Sequence, residues 1–175
     1  EQIRDSALAA SGLLNRTLGG PSVKPYQPAG LWEQSGTGKT YNQDHGDKLY
    51  RRSLYTFWRR TSPPPAMLTF DAVTREVCTA KRETTTTPLQ ALVLLNDPQF
   101  VEASRVLGEK LLKQFPQDET ARNRESFRAL TGRFPDETEA KILAQLFAEQ
   151  TKVFTKDADG AKKLLAVGES KGDEA

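Results

Sequence analysis

The only histidine of the chain, His45, stands in "QDHGD" between Asp44 and Asp47. That neighbourhood suits a general base or a metal ligand, and it equally suits a plainly solvated ring. Asp71 and Glu76 in "FDAVTRE" could form an acid pair of the kind that hydrolyses glycosidic bonds, although pairs at this spacing arise by chance in most chains. Cys78, the only cysteine, follows Arg75, whose charge would favour a thiolate. No histidine accompanies it in sequence, which leaves a buried apolar thiol as the competing reading. Met67 and His45 could in principle ligate haem iron from both sides, but the chain has no covalent attachment motif for haem. "SGTGKT" resembles part of a phosphate loop, yet the position that should hold its first glycine is Glu33, whose carboxylate would repel a phosphate. The catalytic candidates are therefore His45, Asp71, Glu76 and Cys78, and they do not assemble into a mechanism.

A second constellation is a surface rather than a reaction centre. "YRRSLYTFWRRTSPPPAM", residues 50–67, holds four arginines, four aromatics and three consecutive prolines. Advancing roughly 100° per residue from Leu49 gathers Leu49, Tyr50, Leu54, Phe57 and Trp58 on one half of a helix. Lys48, Arg52, Tyr55 and Arg59 fall on the other half. The spacing predicts an amphipathic helix that the prolines terminate, with Tyr50, Phe57 and Trp58 in the core. Arg52, Tyr55 and Arg59 are either a solvated stripe or a face for a sugar or an anion.

The elements that must position these residues are mostly helical. "EQIRDSALAASGLL" places Ile3, Ala7, Ala10 and Leu14 on one helical face ahead of Gly19-Gly20-Pro21. Residues 22–46 lose all periodicity and carry isolated aromatics, as in a long loop that wraps the core on Leu31 and Trp32. "TREVCTA" allows a short strand or an extended crossing. "TPLQALVLLN" and "DPQFVEASRVLGEKLLKQ" both begin with a cap residue and a proline, and predict a short buried apolar helix followed by a helix over 98–114. Phe100, Ser104, Leu107, Gly108 and Leu111 share one face of the latter. A surface helix with anchors Ala121, Phe127 and Leu130 follows. Asp136 and Glu139 then have capping-box spacing ahead of a core helix facing inward through Ile142, Leu143, Leu146 and Phe147. A last weak helix runs over 159–167, and residues 168–175 form a polar tail. The fold expected is mainly α: one domain over 1–175, an irregular bundle of about five to six helices with a long loop and little or no β.

Composition excludes several function classes. The chain has 175 residues with 25 basic against 23 acidic side chains, a net charge of +2, so no global field favours nucleic acid. One cysteine cannot form an internal disulfide, and no paired Cys or His spacing suggests structural zinc. The apolar run "LQALVLL" is far shorter than the roughly 20 residues of a membrane span, and the N-terminal segment lacks the charged-then-apolar order of a signal peptide. No cofactor is expected in this domain.

The blocks "EQIRDSALAASGLLNR", "GGPSVKPYQPAGLWE", "LYRRSLYTFWRRTSPPP", "TFDAVTREVC" and "TTPLQALVLLNDPQFVEASR" together resemble the planctomycete-type PSD-one C-terminal domain of unknown function, found in large cytochrome-c-associated bacterial proteins. The resemblance implies an exported polypeptide, placed in the periplasm or cell envelope, with haem only in a separate domain and with neighbouring domains as partners. It carries over no reaction and no catalytic residue. Val73 stands where the family has proline in "FDAP", and Thr86 where it has asparagine in "TNTPLQAL". Family members continue past "LAVGES" into a further apolar helix, so the chain reads as a piece of a longer protein. Two functions follow as expectations: a helical binding or scaffolding module contacting acidic polysaccharide, or a hydrolase or redox-linked enzyme domain completed by other parts of the polypeptide.

Overall fold

The computed structural model describes residues 1–36 and 38–172. Thr37 of "SGTGKT" and the last three positions of the polar tail lie outside the described residues. The fold is mainly α, with eight α-helices and two 3-10 turns among those residues. Its β content is two isolated bridges, Asn15 with Arg51 and Val23 with Thr56. The helices beyond the expected five or six include two short ones, α2 (Leu31–Gln34) in the long loop and α3 (Pro65–Thr69) after the prolines.

Helix α1 (Gln2–Ser11) stops earlier than Gly19-Gly20-Pro21 would suggest. Gly12, at a left-handed φ of 93°, turns its N–H back onto the Leu8 and Ala9 carbonyls, a conformation that costs a side-chain-bearing residue energy. The buried face is Arg4, Leu8 and Ser11 rather than the Ile3 row, so it sits one position round from the hydrophobic pattern. The cause is Arg4, whose guanidinium donates to the backbone carbonyls of Leu49 and Arg51 at 2.7 Å each and to Gln99 Oε1 at 2.6 Å.

Those bonds also explain why no helix forms over 48–59. The backbone groups a helix would pair internally are taken by distant partners. Arg4 holds the Leu49 and Arg51 carbonyls, the Asn15 N–H takes the Tyr50 carbonyl, and the Val23 N–H takes the Tyr55 carbonyl. The Asp5 carboxylate accepts from the Ser53 N–H. The segment is instead two 3-10 turns, Gly46–Tyr50 and Ser53–Tyr55, joined and followed by extended residues. Of Tyr50, Phe57 and Trp58, expected in the core, only Tyr50 is buried; with Leu8 and Leu49 it forms a core cluster, backed by Leu13, Leu14 and Tyr26.

The remaining helices begin where their caps predict. In α4 (Pro88–Asn96) the Thr87 hydroxyl and the Gln90 side chain make a reciprocal capping box. It is not the buried helix its sequence suggests: Leu89, Leu92, Leu94 and Leu95 are exposed, and Gln90 is its buried residue. Helix α5 (Pro98–Gln114) packs on α1 and buries Phe100, Ala103, Leu107 and Leu111. Helix α6 (Glu119–Thr131) lies on the surface as expected. Helix α7 (Glu137–Lys156) has its Asp136–Glu139 capping box but buries no residue, so Ile142, Leu146 and Phe147 are surface side chains rather than core. Helix α8 (Ala158–Leu165) packs on α7 and α5, and residues after it return to α5. Among the described residues no helix is long and apolar enough to cross a membrane.

Candidate functional site

The four catalytic candidates have separate surroundings. His45 is exposed, with Nδ1 2.5 Å from Glu169 Oε1. Asp71, at a left-handed φ of 57°, accepts 2.8 Å hydrogen bonds from the N–H and the hydroxyl of Thr85. Those bonds hold its carboxyl below the usual range. Gln90 donates to the same hydroxyl and to the Thr69 carbonyl, so Asp71 staples the turn after α3 to the start of α4. Glu76 pairs with Arg60 at 3.3 Å. Cys78 is exposed and is not the buried thiol of the alternative reading. Asp71 lines an open cleft of about 780 Å³ beside Glu1, Arg82 and residues 84–86, and none of the other three shares it. Among the described residues no group of three or more His, Cys, Asp or Glu side chains could hold a metal ion.

The proposed stripe also separates. Arg52 is exposed. Tyr55 faces the turn at 17–21: its hydroxyl accepts from the Gly19 N–H at 2.8 Å, and the Arg51 guanidinium lies 3.8 Å from its ring centre. Arg51 in turn donates to the carbonyls of Thr17, Gly19 and Pro21, so this stack ties the turn to the body. Arg59 goes elsewhere, to 4.5 Å from the ring centre of Trp32.

Around Trp32 the long loop builds a groove. The Val23 N–H donates to the Tyr55 carbonyl at 2.8 Å, and the Phe57 N–H donates to the Val23 carbonyl at 2.7 Å. This short ladder lays residue 24 beside residue 57. The other end of the loop is fixed to the same strip, because Lys24 and Asp44 exchange bonds at 2.7 and 2.9 Å and the Tyr41 hydroxyl donates to the Pro25 carbonyl at 2.5 Å. Helix α2 inserts Trp32, 5% exposed, under this crossing. Its ring meets Tyr41 edge-on at 5.1 Å and Phe57 at 5.8 Å. Lys24 Nζ stands 5.4 Å from the Trp32 ring centre and 5.6 Å from that of Phe57.

The result is an open groove of about 420 Å³ lined by Lys24, Trp32, Lys39, Thr40, Asn42, Phe57 and Arg59. Three of these side chains are cations, and no carboxylate, imidazole or thiol is among them. Phe57, 38% exposed, offers an apolar face; Thr40 and Asn42 offer hydrogen bonds. Cations against aromatic faces are held in place by the ring quadrupole while keeping their charge available to a ligand. Such a lining can bind an anion with an apolar ring face.

Sequence reasoning singled out Arg59 but assigned Phe57 to the core, passed over Lys24 and Asn42, and weighed Lys39 only as part of a phosphate loop. Their only signal was the loop itself, with cations at 24 and 39 flanking a tryptophan at 32. A family model described as PSD1, Protein of unknown function (DUF1553), matches residues 1–147. No curated protein and no solved structure matches the chain.

Proposed function

The chain belongs to the PSD1 family of proteins of unknown function, and we propose that it is a binding module that takes an acidic polysaccharide along the groove of Lys24, Trp32, Lys39, Phe57 and Arg59. The observation that supports this is the lining: three cations and a half-exposed aromatic face with no opposing carboxylate. Sulfate or uronate groups would meet the cations, and the apolar face of a sugar ring would lie on Phe57. A polymer suits the groove better than a small anion because the groove is open and its charges are spread along a loop. The setting proposed is an exported, cytochrome-associated polypeptide with haem in a separate domain. Neighbouring domains of that polypeptide are the proposed partners of the exposed leucines of α4.

Calorimetric titration with a sulfated oligosaccharide tests the reading. Binding should be weak and should fall as salt rises, because the groove is open and its cations, Lys39 above all, are reached by solvent. At ~0.5–1 kcal/mol for each charge, Lys24→Ala/Lys39→Ala should weaken binding roughly 5- to 30-fold. Neutral oligosaccharides should bind less tightly. Equal affinity of the double variant and the parent chain would rule the groove out.

A further inference from the structure

We infer that Tyr26, His45, Gly46, Glu102 and Arg105 form a peptide-binding site for a Gly-acidic-Ser segment, filled here by the chain's own residues 168–170, and that its occupancy clamps the end of the loop that builds the groove. The receptor is assembled from the long loop, the Gly46–Tyr50 turn and α5, all inside the region that the family model matches, while the ligand segment lies beyond it. Each ligand residue is read separately. Gly168 has a left-handed φ of 94°, and a Cβ added there would collide with the Glu102 carboxyl group, so a side chain would have to displace the segment or that carboxylate. The Glu169 N–H donates to the Tyr26 hydroxyl at 2.9 Å. Its carboxylate accepts from the Gly46 N–H at 3.1 Å, meets His45 Nδ1 at 2.5 Å and is reached by the Gln43 amide at 3.4 Å. The Ser170 N–H donates to Glu102 Oε1 at 2.6 Å, and Arg105 donates to both the Ser170 carbonyl and its hydroxyl at 2.6 Å.

The receptor has a buried half, Glu102 and Arg105 on α5, and an exposed rim, His45 and Gly46 on the loop. Glu102 is 0% exposed in the middle of α5, and its two donors both fall on Oε1 while the buried Oε2 has no hydrogen-bond partner among the described residues. The Tyr50 hydroxyl supplies one donor at 2.8 Å and the segment's Ser170 N–H supplies the other to the same oxygen. The Arg105 side chain is 4% exposed and is oriented by Glu109 at 2.6 Å. Removing the segment would strip a donor from Glu102 and two acceptors from Arg105, so the empty site would favour an equivalent peptide over water. The clamp reaches the groove through chain continuity, since Gln43, His45 and Gly46 directly follow Lys39, Thr40 and Asn42 in the same loop. This inference holds whatever the groove binds.

Amide exchange on the full chain provides the test. Gly168→Ala should speed exchange at Gly46 and Ser170 at least about tenfold while the amides of α1 and the second half of α5 keep their protection. A synthetic peptide of residues 165–172, LAVGESKG, should bind this variant and restore slow exchange at Gly46; the same peptide with alanine for its glycine should do neither. If Gly168→Ala loses protection throughout, Glu169→Gln decides, with faster exchange expected at Gly46 and unchanged helices. Parent-like exchange at Gly46 in a folded variant, or failure of LAVGESKG to bind the opened Gly168→Ala chain, would overturn the inference.

Discussion

Replacing Arg4 by alanine should come close to unfolding the protein. The guanidinium is buried and serves four acceptors: the carbonyls of Leu49 and Arg51 at 2.7 Å, the Ser53 hydroxyl at 3.2 Å and Gln99 Oε1 at 2.6 Å. Without it at least three acceptors lose their partner inside the fold, at about 1–3 kcal/mol for each one left unsatisfied. The opposing contribution is the cost of burying the charge, visible in an Arg4 pKa pushed down to about 10 chiefly by desolvation and only partly restored by Asp5 and Asp97. The balance resembles other broken buried charge clusters, about 3–5 kcal/mol, against a total stability on the order of 5–15 kcal/mol. Arg4→Lys retains one charged donor but not the fork, and should fall between the parent chain and Arg4→Ala. Urea denaturation followed by far-ultraviolet circular dichroism measures both variants. An Arg4→Ala midpoint within error of the parent would refute the claim that these long-range bonds, rather than helix propensity, shape residues 46–57.

Leu8→Ala, at a fully buried position, should cost about 2–5 kcal/mol, whereas Leu95→Gln, at a position 73% exposed, should change stability by less than about 0.5 kcal/mol in the same denaturation assay. Phe57→Ala, which removes a partly covered ring packed on Trp32, should cost about 1–2 kcal/mol, less than Leu8→Ala, and reduce sulfated-oligosaccharide affinity; unchanged affinity would take Phe57 out of the groove. Glu139 is held at about 2, below the usual 4.5, first by hydrogen bonds from Arg133 and then by the Asp136 N–H. A carboxyl with a depressed folded pKa stabilises above its ordinary value and loses that contribution as pH falls through the folded one, so the first turn of α7 should loosen between pH 4.5 and about 2. A carboxyl NMR titration of Glu139 should show that low midpoint and its rise in Arg133→Ala, and a midpoint of 4.5 in the parent chain would contradict the pairing.

What could be read from the sequence was what is decided locally. A threonine cap with Pro88, Asp97 with Pro98, and Asp136 with Glu139 set the starts of α4, α5 and α7 within one turn, and the caps are present. Wrapping of the long loop was legible from its aromatics, and Trp32 is buried there. The helix expected over 48–59 failed because its backbone groups pair with Arg4, Asp5, Asn15 and Val23, none of which a local period reveals. Buried Arg4 and Glu102 were invisible for a related reason: apolar periodicity assigns charges to the outside. The leucines of α4 and the apolar face of α7 show the converse, since a hydrophobic run states what wants cover and not whether the fold supplies it. The groove was illegible because its cations lie at 24, 39 and 59, brought together only by the Val23–Phe57 ladder and the Lys24–Asp44 exchange.

The most direct test of the binding groove is an amide and indole NMR titration of the full chain with a sulfated oligosaccharide at low salt. The account predicts saturable shifts at the Trp32 indole N–H, at Lys24, Lys39, Asn42 and Phe57, all fading as salt is raised. Saturable shifts at Asp71 and residues 84–86 with Trp32 silent, or no shifts anywhere, would contradict it.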